Sequence, residues 1–206
     1  MRPLPPTNHN KSFISSLDLE CFVRSTFLND ENALYNPEHS HLIDAKIGYL
    51  WAFEPNSRGG KQIIGEAERL NPKGGKWQIA RQKQQIKEFF PNFISEYGFS
   101  IDFIITLDAN FCLNADDASF CALLEHELYH CTYQIDEFGM PKFNKEGKMS
   151  YSLKGHDVEE FTGVVRRYGL GALSPEVSEF VTAANRSPEI GQALMNAGCG
   201  TCLRLA

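Results

Sequence analysis

Residues 122–131 read Ala-Leu-Leu-Glu-His-Glu-Leu-Tyr-His-Cys. On an α-helix, side chains four apart stack on one face, so His126 and His130 offer two imidazoles to the same side. Glu127 falls one step round the helix, where a carboxylate can polarise a water held by a metal. That is the logic of the H-E-x-x-H zinc hydrolase site. The bland alternative is an amphipathic helix carrying two satisfied histidines. With six histidines in 206 residues, composition alone would produce such a match about once in a hundred chains, so the surrounding residues have to argue for it.

They do. Residues 114–119, Asn-Ala-Asp-Asp-Ala-Ser, supply capping side chains and early acids that favour a helix start. Phe120, Leu124, Leu128 and Cys131 then form an apolar stripe at helical spacing. His126 and His130 fall together at one edge of the stripe, and Glu125 and Tyr129 point away from it. The ligands would line the rim of a core.

The rest of the chain sets the frame. Hydrophobic content is 42%, charged content 22% and formal net charge −6, values of a core-forming globular chain. The acidic balance argues against a nucleic-acid backbone as dominant partner. No apolar run is long enough to span a membrane, and the start, Met-Arg-Pro-Leu-Pro-Pro-Thr-Asn, has no apolar signal core. The six cysteines accordingly read as reduced thiols of a cytoplasmic protein. Residues 1–12 read as a flexible amino terminus, and 13–206 as a single metallopeptidase-like domain.

Outward from the central helix, 100–107 (SIDFIITL) is the clearest strand, and 16–28 reads as a helix. Residues 46–53 (KIGYLWAF) and 62–70 read as a hairpin with a long loop. A helix with one basic, solvated face is expected over 77–90. His39 and His41 sit in a polar turn and read as solvated. Residues 133–152 suggest a hairpin or loop over the site, and helices are expected over 175–185 and 188–197. Cys199-Gly200-Thr201-Cys202 has C-x-x-C spacing, but one such pair without a second defines neither a zinc site nor a redox site.

A catalytic zinc needs a third protein ligand and an open position for water. Lys154-Gly155-His156-Asp157-Val158-Glu159-Glu160-Phe161 holds three candidates. His156 comes first, since a loop–helix junction can aim its imidazole at the central helix. Asp157 is second, as a ligand or as a carboxylate orienting a histidine. Glu160 is third, from the following helix.

With HELYH followed by GHDVEEF, the chain resembles the putative phage metallopeptidases, small proteins of phages and prophages carrying HEL-x-H and a later HD-x-E-[ED]-F. The resemblance covers about residues 34–170 and takes in IGYLWAF and SIDFIITLD. A more distant similarity is to SprT-like and Wss1-like zinc proteases, whose third ligand is a histidine followed by glycine; here Asp157 stands in the glycine's place. The resemblance implies an α+β fold of the compact zincin-like kind, a small, mostly antiparallel sheet packed on the H-E-x-x-H helix with a helical carboxyl-terminal part. It implies Zn2+ as cofactor and a protein or peptide substrate. Two other functions fit the same residues. One is a non-enzymatic phage binding protein with a structural, four-ligand zinc site. The other is a DNA-associated SprT-like protease, which would use the lysines between Lys73 and Lys87.

Overall fold

A computed structural model describes residues 1–95, 98–156, 175–189, 198–199 and 201. In chain order its elements are β1 (Phe13–Ser15), α1 (Leu17–Thr26), β2 (Ile47–Ala52), β3 (Ser57–Arg58), β4 (Lys61–Arg69) and α2 (Lys76–Phe89). Then come β5 (Ile94–Ser95), β6 (Gly98–Phe99), β7 (Phe103–Asp108), α3 (Ala109–Asn114) and α4 (Asp117–His130). The chain continues through β8 (Cys131–Tyr133), β9 (Tyr151–Leu153), α5 (Pro175–Ala184) and β10 (Gly198–Cys199). The architecture is the expected mixed one, a small sheet carrying several helices.

The main sheet runs β1-β2-β7-β4-β10, with β3 paired to β4. The hairpin expected between 46–53 and 62–70 does not form. Instead β7 lies between the two strands, parallel to β2 and antiparallel to β4. The reason lies in burial. Phe103, Ile104, Ile105 and Leu107 are all buried, so β7 faces apolar neighbours on both sides and takes the centre of the sheet.

One face of that sheet packs Trp51, Phe103, Ile105 and Leu107 against Leu123, Leu124 and Leu128 of α4. The other packs Leu50, Ile101 and Ile104 with Phe90, against partly buried Ile86 and Phe89 from α2 and its end. No residue of α2 is itself buried. Among the described residues no helix is long and apolar enough to cross a membrane.

Local chemistry sets the helix ends. Asp108 caps α3 by accepting from the Phe111 amide at 2.9 Å, and Asp116 caps α4 by accepting from the Ser119 amide at 2.7 Å. These two carboxylates split what could have been one run into a short helix and the central one. Arg2 braces the junction. Its guanidinium donates to the carbonyls of Cys112 and Ala115, pairs with Asp117 at 3.0 Å and lies over the Phe120 ring.

The turn holding His39 and His41 is not solvated as expected. Pro37–Leu42 forms a 3-10 helix started by Asn36 and packed against α4, which leaves His39 only 1% exposed. Residues 131–153 fold back on themselves. β8 pairs antiparallel with β9, and isolated bridges join Ile135 to Pro141 and Phe143 to Met149. Asp136 and Asn144 shape the two intervening turns, each Oδ1 accepting two backbone amides.

Candidate metal centre and active site

The centre is built at the carboxyl-terminal end of α4. His126 and His130 sit one turn apart, with their Nε2 atoms 3.3 Å from each other. The segment just past β9 supplies further contacts. The Lys154 amide donates to the His130 carbonyl at 2.9 Å, and the Lys154 carbonyl lies 2.7 Å from His130 Nδ1. A carbonyl can only accept, so Nδ1 carries the proton and Nε2 keeps its lone pair for a metal. Two residues on, His156 brings its ring to 5.3 Å from that of His126 and 5.4 Å from that of His130, centroid to centroid. The His126 and His130 rings are themselves 5.0 Å apart. The three imidazoles form a nearly equilateral cluster. Asp157 and Glu160, the other two candidates for third ligand, lie outside the described residues.

Burial keeps His126 in its ligating form. Desolvation, then the neighbouring His130 and His156, pull its pKa down to about 4, so the ring is neutral at pH 7. Glu127 faces the sheet from the same turn and is fully buried. Burial pushes its carboxyl up to about 7, partly opposed by a hydrogen bond from Cys199. A carboxylate poised there can both take and return a proton at neutral pH. Glu127 fits because β4 offers it Gly65, where a Cβ would stand 2.5 Å from Glu127 Oε1 and 2.8 Å from Leu123 Cδ1.

Cys199 also enters the centre. Its Sγ is 3.6 Å from Glu127 Oε2 and 3.5 Å from His130 Nε2. Ligand atoms of His126, His130 and Cys199 all lie within 4.8 Å of one another. Thr201 follows, its hydroxyl accepting from the Ala67 amide at 2.6 Å and donating to the Ala67 carbonyl at 2.7 Å, 3.5 Å from Glu127 Oε2. The only sequence sign of these contacts was the C-x-x-C spacing, whose second member, Cys202, lies outside the described residues. Pairing of β10 with β4 is what brings Cys199 in, and a two-residue strand carries no periodicity to read.

The donor set suits a metal ion. Imidazole and thiolate are zinc ligands, and Glu127 Oε1 is a buried acceptor with no hydrogen-bond partner among the described residues. A family model described as Putative phage metallopeptidase matches residues 20–185. The chain belongs to that family. Membership in a metallopeptidase family implies a metal ion and a protein or peptide substrate. No curated protein and no solved structure matches the chain.

Proposed function

We propose that this phage metallopeptidase family member is a zinc-dependent peptidase, with residues 13–206 as one catalytic domain working in the cytoplasm. His126, His130 and His156 would hold the ion, and Glu127 would act as general base. The observation that carries the reading is the mutual approach of three imidazoles beside a buried glutamate. His156 is the preferred third ligand over Asp157 or Glu160 because neutral imidazole binds zinc well and its ring lies beside those of His126 and His130.

When bound, the zinc would acidify a water and polarise the peptide carbonyl. The chain's own residues supply the rest. Lys154 fixes the His130 ring through its carbonyl, and neutral His126 offers a lone pair. Glu127 takes the proton of the attacking water and hands it to the leaving amine nitrogen. The apolar floor of Leu123, Leu124 and Leu128 limits water access from behind and strengthens each charge interaction at the site.

A second reading has one observation in its favour. Cys199 joins His126 and His130 in one group of ligand atoms within 4.8 Å, and with His156, whose ring lies beside theirs, it would give the four donors of a closed structural zinc site. On that reading the protein binds a partner and cleaves nothing.

Elemental analysis of the purified wild type beside His156→Ala tests the ligand set. One zinc per chain, lost or much weakened in the variant, supports the three-histidine site. Full zinc in the variant moves the third ligand to Asp157, Glu160 or Cys199, and a wild type without zinc refutes the reading.

A further inference from the structure

The outer edge of β4 is where an extended peptide could pair beside α4, and the chain's own carboxyl-terminal residues are already there. β10 lies parallel to β4, with Gly198 opposite Ile63 and Cys199 opposite Gly65. Gly65 is the residue against which Glu127 packs, so Cys199 reaches the sheet level with the general base. One step beyond, the Thr201 hydroxyl takes both the amide and the carbonyl of Ala67. Strand edge and metal cluster are thus engaged by one short segment. Cys199 lies beyond residue 185, where the family match ends.

We propose that Cys199 is the fourth protein ligand of the metal and that β10 thereby holds the peptidase latent. The inference rests on the metallopeptidase reading of His126, Glu127 and His130. On coordination the thiol releases its proton to solvent and binds as thiolate, filling the position the reactive water needs. Its distances to His130 and Glu127 are those of a group lodged between ligand and base. β10 simultaneously covers the backbone groups that would align a substrate strand. The segment is suited to release. Among the described residues its strand pairing is confined to Gly198 and Cys199, with a register shift between them, and beyond it the two Thr201–Ala67 hydrogen bonds would have to break as well. Withdrawal of one strand would free the coordination position and the strand edge together.

The test uses the full-length chain loaded with cobalt(II), alongside Cys199→Ser and Cys199→Ala. Wild type should show a thiolate-to-cobalt charge-transfer absorption in proportion to bound metal. Both variants should lose that band while still binding cobalt through their imidazoles. With zinc restored, the variants should generate new amino termini in a mixture of denatured proteins about tenfold faster than wild type. Cobalt bound by wild type without the band overturns thiolate ligation and leaves the three-histidine peptidase standing, and a band that persists in both variants overturns ligation by Cys199 and assigns the thiolate to another cysteine. A band that vanishes while both loaded, folded variants cleave no faster than wild type overturns latency and favours the structural site. Failure of wild type to bind cobalt defeats the underlying metallopeptidase reading itself.

Discussion

Two faces of α4 bury a titratable side chain that lacks a full set of partners, and only one of them looks like a site. Glu127 is 0% exposed and lodged against Gly65; His39 is 1% exposed and packs against Glu125 and Tyr129. Both have nitrogen or oxygen atoms without a hydrogen-bond partner among the described residues. Around Glu127, however, two histidines and a cysteine bring their ligand atoms within 4.8 Å of one another. Around His39 the neighbours spend their polarity on each other. Asn36 donates to Glu125 Oε1 at 3.0 Å and to the Tyr129 hydroxyl at 2.9 Å, while His39 Nε2 stops 3.7 Å from Glu125. An unsatisfied buried group marks a candidate, and convergence of ligand atoms separates a centre from a packing compromise.

The largest effect expected from this contrast is on Glu127. Replacing it by glutamine keeps shape and burial but removes the proton acceptor, so kcat/KM should fall by about 10²–10⁴, best read in the Cys199→Ala background if β10 restrains the wild type. Zinc content should stay at the wild-type level, whereas His126→Ala should lose zinc and hydrolysis together. His39→Leu should leave both zinc and turnover unchanged. Retained hydrolysis in Glu127→Gln would refute the mechanism, and loss of zinc in His39→Leu would erase the distinction between the two faces.

The pH dependence of stability offers a second separation. Burial, and then the nearby His41, lower the His39 pKa from 6.5 to about 4. Glu125 at 3.7 Å pulls the other way, and the Tyr129 ring adds no charge. As pH falls below 6.5 the unfolded chain takes up the proton first, so this contribution is present above 6.5 and is lost as pH drops through about 4. Its ceiling is about 3 kcal/mol. In metal-free protein, the decline in urea-unfolding free energy between pH 7 and pH 4 should therefore be shallower in His39→Leu than in wild type. Parallel declines would mean that His39 is protonated in the fold and that Glu125 holds it.

Why one face was legible in the sequence and the other was not follows from the range of the forces involved. His126, Glu127 and His130 are fixed by helical spacing, a local property that needs no knowledge of the rest of the fold, and Phe120, Leu124 and Leu128 fell in the core as their periodicity implied. His39 defeated the reading because its burial comes from a 3-10 turn docking on α4, some 86 residues later in the chain (125 − 39). The strand order failed for a related reason. Residues 46–53 and 62–70 are neighbours in sequence, but β7 lies between them, parallel to β2 and antiparallel to β4, through long-range pairings that no local pattern shows. Cys199 is the extreme case, a residue whose chemical setting exists only after β10 has joined β4.

Gly65 gives the smallest and most local test. It has no need of a left-handed backbone; its requirement is space, since a Cβ would meet Glu127 Oε1 at 2.5 Å and Leu123 Cδ1 at 2.8 Å. The leucine tip can turn, but the carboxyl is held between β4, Cys199 and Thr201. Gly65→Ala should therefore cost about 1–3 kcal/mol of unfolding free energy, with loss of turnover beyond that expected from stability alone, because the base is displaced towards the metal ligands. The same substitution lies outside the His39 contacts, so the pH profile of unfolding assigned to that residue should keep its shape. A Gly65→Ala protein of wild-type stability and turnover would mean that Glu127 is not pinned by β4 and that the strand edge is free to move away from the helix.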